Sequence, residues 1–247
     1  MKNYYKRRLP HYVQEERVFF ITSRLANSLP TSIIKRLLED KEQRKKYYSE
    51  IKNLKVRRQK YIESQKIYFD KFDNALDVFS NGPFWLANHK IAHIVAEALH
   101  YRDKKVYDLY AYSIMSNHIH IVIKPIVRQH AMLSKEEDKV DKDKSRQLGK
   151  LPYISDDLVN IGRKDPSSYI LGDIMESLKG YTAFECNKVL QRKGKFWHHE
   201  NYDHMVRNQR ELIRIIEYIL NNPIKAGLCK TQEEWKWNYY NPKLIGI

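Results

Sequence analysis

Two imidazoles stand two residues apart in the run Ser116-Asn117-His118-Ile119-His120-Ile121-Val122-Ile123. Imidazole alternating with isoleucine is a strand pattern, because successive strand side chains point to opposite faces. His118 and His120 then project from one face, and Ile119, Ile121 and Ile123 bury the other. Neighbouring imidazoles can hold one metal ion. A second pair lies near the C-terminus, in Glu217-Tyr218-Ile219-Leu220-Asn221-Asn222-Pro223. Tyr218 and Asn222 are four apart and share a helix face one turn apart. The Asn222 amide oxygen can join the histidines on the same ion, with the Tyr218 hydroxyl beside it. A metal so placed polarises a phosphate and stabilises charge on the leaving oxygen. A tyrosine oxygen is then a workable nucleophile that forms a covalent phosphotyrosine.

The elements that must position these residues follow from periodicity. Residues 17–23 read as a strand rich in β-branched and aromatic side chains. Pro30-Thr31 opens a helix that runs, whole or broken, to about residue 72. Its stretch from Asp40 to Lys60 is heavily charged, as a solvated helix face or a DNA-backbone contact would be. Asn81-Gly82-Pro83 is a break. Residues 88–100 form an amphipathic helix on which His89 and His93 read as surface or packing residues. Residues 106–115 form a strand that turns at Ser116-Asn117 into the histidine strand. Residues 168–190 are helical, with Lys179, Tyr181 and Lys188 as candidates to face phosphates. Phe196-Trp197 opens a short strand or loop. Residues 211–222 form the last long helix, with Pro223 expected to stop it and Gly227 to close the turn. The run Lys135–Lys144 has almost nothing to bury, and residues 128–166 read as a flexible insertion.

Composition bounds the partner. The chain has 247 residues, with 45 Lys plus Arg against 30 Asp plus Glu, a net charge of +15. Its sequence pI is about 9.6. That balance favours a polyanion, most simply nucleic acid. No run of about 18 apolar residues exists, so a membrane partner is not expected. The basic start lacks a following apolar core, so it is not a secretory signal. Cys186 and Cys229 alone give no disulfide framework and fit a reducing cytoplasm. Some of the eighteen tyrosines can stack on unpaired bases. No Gly-x-x-x-x-Gly-Lys run is present, which agrees with chemistry that needs no ATP.

Taken together, the motifs resemble a known family. The stretch from Tyr112 to Ile123, with its His-hydrophobic-His signature, is similar to the single-tyrosine HUH transposases. Residues 196–207 and 218–228 resemble two C-terminal motifs of their REP-associated tyrosine transposase branch. Residues 177–183, 72–77 and 82–86 resemble that branch as well. The likeness spans about residues 16 to 238 and thins over 40–60 and 128–166. It implies an α+β fold with a ferredoxin-like core: a central antiparallel sheet flanked by helices. The chain would be a single HUH transposase-like domain over 1–247, with a charged helical insertion at about 31–72. It further implies cleavage of single-stranded DNA beside hairpins, a divalent ion (Mg²⁺ or Mn²⁺), and a 5′-phosphotyrosine intermediate. His118 and His120 would be metal ligands and Tyr218 the nucleophile, with Tyr202 as a competing tyrosine. Asn222 falls where related transposases carry a glutamine ligand. Partners would be single-stranded and hairpin DNA, the protein a cytoplasmic monomer or homodimer. A non-catalytic DNA- or RNA-binding protein with a degenerate site, and a hydrolase that activates water, are the alternatives. His198, His199 and His204 read as surface or packing residues that could also contact DNA or the metal.

Overall fold

The computed structural model describes residues 17–79, 81–126 and 170–245. The insertion expected at 128–166 lies outside them. In chain order the elements are β1 (Phe19–Arg24), α1 (Thr31–Ser49), α2 (Leu54–Val78), a 3-10 turn (Trp85–Ala87), α3 (His89–Arg102), β2 (Tyr107–Ile114) and β3 (His118–Pro125). Then follow α4 (Ile170–Val189), β4 (Tyr202–Met205), α5 (Gln209–Lys225), β5 (Asn238–Tyr240) and α6 (Pro242–Ile245).

The sheet runs β4-β1-β3-β2-β5, and every neighbouring pair is antiparallel. The path β1-α3-β2-β3-α4-β4 in the order 4-1-3-2 is the split βαβ arrangement of the expected ferredoxin-like core. β4 and β5 extend the sheet at its two edges. Both are short, and neither strand was legible from the sequence.

The two faces of the sheet differ. One carries Phe19, Ile21, Leu109, Tyr112, Ile119, Ile121 and Ile123 against Ile91, Val95 and Leu99 of α3 and Ile174 and Leu178 of α4. The other carries Phe20, Ala111 and Val122 against Phe69 of α2 and Leu212, Ile216, Ile219 and Leu220 of α5. A bulge at Tyr110 between Leu109 and Ala111 lets β2 serve both faces without losing register further on. On the second face His120 pairs with Thr22 on one side and Ser113 on the other. The small Ala111 and Ser113 side chains leave room there for α5.

The long charged helix is in fact two. Asn53 ends the break at 50–53 by accepting the backbone N–H groups of Lys55 and Val56, so a second helix nucleates. α1 and α2 run antiparallel, since Asp40 pairs with Lys71, Lys41 lies over Tyr68, and Tyr48 packs on Tyr61. α2 continues past the expected end at 72 to Val78, because Phe69, Asp73 and Leu76 form a buried stripe on the body. Pro223 does not stop the last helix. A proline disrupts only the turn before it, and α5 reaches Lys225. Gly227, at φ +71°, then donates to Ile224 O while Leu228 donates to Pro223 O, a Schellman ending.

Ile121 is fully buried between β3, α3 and α4. Ile121→Ala should cost about 2–5 kcal/mol of unfolding free energy in a denaturant titration, through lost burial and the cavity left behind.

Candidate active site

The second face of the sheet gathers polar groups that a core ordinarily excludes. His118 and His120 come from β3, Asp73 from α2, and Asn222 and Tyr218 from α5. Asp73 and His120 are 0% exposed, and His118 and Asn222 1%. Ligand-capable atoms of Asp73, His118 and His120 all lie within 4.8 Å of one another.

Hydrogen bonds fix both rings. The Asn117 Nδ2 donates to Leu76 O at 2.9 Å, which turns its Oδ1 toward His118 Nδ1 at 2.7 Å. His118 Nδ1 must therefore carry the proton, leaving a lone pair on Nε2. His120 Nε2 accepts from Asn222 Nδ2 at 2.7 Å, and its Nδ1 lies 2.9 Å from Thr22 Oγ1. The two Nε2 atoms face each other at 3.0 Å. Asp73 Oδ1 stands 3.3 Å from His120 Nε2 and 3.8 Å from His118 Nε2. Two lone pairs and a carboxylate oxygen thus converge. Asp73 Oδ1 and Asn222 Oδ1 are buried without a hydrogen-bond partner among the described residues. Buried acceptors without donors are costly. The donor set of two imidazole nitrogens and hard oxygens fits a divalent cation that tolerates both.

Tyr218 donates its hydroxyl proton to Asp73 Oδ2. Burial raises the phenol's pKa above its usual range, and the Asp73 carboxylate beside it raises it further. Burial pushes both imidazoles down to about 3, so they are neutral lone-pair donors at ordinary pH. Asp77, one turn beyond Asp73, is raised to about 6 by burial and then by the Asp73 charge, with Lys225 Nζ 3.3 Å away opposing both.

The fold thus brings Tyr218, His118, His120 and Asn222 together. The Asn222 amide nitrogen, not the expected oxygen, faces His120, because that ring's Nε2 needs a donor. Tyr202 packs its ring on Phe69 at 4.6 Å and Phe20 at 6.4 Å between centroids, the two rings that also flank His120. Lys179 is turned inward, holding the carbonyls of His198 and His199 and the Asn201 side chain. Tyr181 packs against the core beneath Arg102. His204 pairs with Glu211 at 3.1 Å, and His199 with Glu200 at 3.7 Å. His198 bonds to the backbone of Glu200, and His89 packs on Trp237.

Asp73 was missed as a site residue. Its signal was present: a carboxylate between Phe69 and Leu76 on one apolar helical stripe.

The buried rings give a pH signature. Their folded pKa values lie below the unfolded value of about 6.5, so the unfolded chain binds more protons between about 3 and 6.5. Their contribution to stability is full above that window and falls as pH drops through it. In metal-free protein, Tm should decline on acidification from pH 7 to 4, and more steeply than in a variant with both histidines replaced by leucine.

No family model matches the chain. A curated protein of Haemophilus influenzae, named as a REP-associated tyrosine transposase, is 24% identical over 58 residues. That stretch is 24% of this chain and 33% of the relative, so the match spans about a third of the relative's length. A solved structure of a REP-associated tyrosine transposase bound to a REP hairpin aligns over 96% of this chain and 82% of that one. Its TM-score is 0.42 at 12% identity. This chain is therefore similar, in a short stretch of sequence, to a protein named for the family that its motifs resemble.

Proposed function

We propose that the protein is a metal-dependent tyrosine transesterase, a transposase-like endonuclease that cuts single-stranded DNA beside hairpins through a 5′-phosphotyrosine. The observation that carries this reading is the meeting of the Tyr218 hydroxyl with the buried Asp73–His118–His120 group. The sequence likeness to a relative named as a tyrosine transposase supports it. So does the +15 net charge, which suits a phosphate backbone.

His118, His120 and Asp73 would hold the ion, and Asn222 would join them once its amide turns to present the oxygen. Mn²⁺ suits this nitrogen-containing set at least as well as Mg²⁺. Bound there, a divalent cation would supply Lewis-acid stabilisation of the reacting phosphate and offset the Asp73 charge that opposes ionisation of Tyr218.

The chain's own groups do the rest. Asp73 Oδ2 is placed to take the phenolic proton as the Tyr218 oxygen bonds to phosphorus. The phosphorus–O3′ bond breaks, and that oxygen leaves as a 3′-hydroxyl, taking its proton from water or from the protonated Asp73. The phosphotyrosine keeps the energy of the broken bond, so a 3′-hydroxyl can later reverse the step without ATP. Asn117 positions His118 and couples it to the end of α2. The protein would act on DNA in the cytoplasm, where Cys186 and Cys229 would stay reduced.

The test is incubation with hairpin oligonucleotides and Mn²⁺, a denaturing gel, and mass mapping of any DNA-linked peptide. The adduct should map to Tyr218, vanish in Tyr218→Phe and survive in Tyr202→Phe. Cleavage without a protein-linked strand would instead indicate a water-activating hydrolase, and binding without cleavage a degenerate site. Asn117→Ala should lower Mn²⁺ affinity by about 10–100-fold in calorimetry, the usual loss when the group that orients a ligating imidazole is removed.

A further inference from the structure

We infer that the α1–α2 hairpin is a rigid arm whose basic tip grips the duplex stem of a DNA hairpin about eight base pairs from the cleavage site. The inference rests on the proposed DNA substrate but not on the chemistry.

Residues 44–60 hold eight Lys or Arg against one acid, Glu50. Nearly half of the chain's net charge of +15 therefore sits in seventeen residues. Some of that charge is satisfied locally. Arg44 pairs with Asp40, Lys45 with Glu42, Lys60 with Glu63, and Arg57 donates to Ile51 O. Lys46, Lys52, Lys55 and Arg58 are exposed and make no ion pair with a described residue. They cluster where the two helices join, so their charges repel one another with nothing to gain from folding. A polyanion removes that repulsion.

The arm is not part of the body's core. α1 has one buried residue, Leu37, and the buried residues of α2 begin only at Ser64. Beyond them the two helices meet in the Tyr48–Tyr61 contact, and the Lys45–Glu42 and Lys60–Glu63 ion pairs brace each helix separately. Its base, by contrast, is anchored at the site through Phe69, Asp73 and Leu76. From Asp73 to Lys55 is eighteen residues of one unbroken helix, about 27 Å. That length matches about eight base pairs at 3.4 Å each. A cation cluster at a fixed distance from a reacting phosphate favours a stiff partner. Duplex DNA is stiff over far longer lengths, whereas an unpaired strand has no fixed reach.

The test uses the full chain with DNA hairpins of four and twelve base pairs that share one single-stranded foot. Lys52→Glu, Lys55→Glu and Arg58→Glu are combined. Lys52 and Lys55 flank the N-cap of α2, where acids suit the helix dipole, and Arg58 is exposed, so the fold should hold, and circular dichroism checks it. Wild type should bind the twelve-pair hairpin at least tenfold tighter than the four-pair one. The variant should bind both alike, with the slope of log K against log salt reduced by about two to three. Cleavage at saturating DNA should be unchanged. An unaltered preference and slope in the variant would overturn the inference. So would an equal loss for both hairpins and for an unpaired oligonucleotide, which would assign the arm to single strands. Binding is read apart from the adduct, so failure of wild type to form phosphotyrosine would sink the chemistry and leave the arm standing.

Discussion

One carboxylate organises the site. Asp73 presents Oδ1 to the two imidazoles and accepts the Tyr218 hydroxyl on Oδ2, in a place closed to solvent. Without it the tyrosine and the histidines would be neighbours with no common partner. With it, the group that would supply the nucleophile and the group that would hold the ion share a hinge of two oxygen atoms. The arrangement is expensive, because a buried charge and facing lone pairs repel in dry surroundings. Lys225 at the rim tempers that field, and the Asp77 carboxyl beside it adds to it. A cluster with this composition is hard to rationalise as packing, and it is economical as a cation site.

The division of the sheet into two unlike faces makes the cluster possible. The isoleucines of β3 commit one face to α3 and α4, which leaves the imidazoles on the other. There α5 comes close because Ala111 and Ser113 are small. α2 comes close because Phe69 and Leu76 are apolar on either side of Asp73. Asn117, at the turn before the histidine strand, locks one ring and the end of α2 with a single amide. The stability of the fold and the geometry of the site thus rest on the same strand.

The α1–α2 arm extends the same logic outward. Its base is fixed by the residues that flank Asp73, so the position of its tip is tied to the site through one continuous helix. Its outer half has no core of its own to keep. Composition there is free to serve charge rather than packing.

Much of this was legible in the residues. Alternation of His and Ile fixed the strand and its two faces, since period-two patterning follows from backbone geometry alone. The Tyr218–Asn222 spacing placed both on one helix face for the same kind of reason. The basic character and the turn at Gly227 could also be read from local pattern, whereas the ferredoxin-like core was expected only through the resemblance of the motifs to a known family. Other features could not. β4 and β5 are four and three residues long and exist through pairing with distant strands, not through their own propensity. Pro223 looked like a stop because its local rule ignores where the freed carbonyls go. Tyr202 and Tyr218 both pack on Phe69, and only the packing of α5 on α2 brings the Tyr218 hydroxyl to Asp73. Asp73 lies forty-five residues before His118, and no spacing rule joins them. Periodicity tells which way a side chain points from its own element, and only the packing of elements decides what it meets.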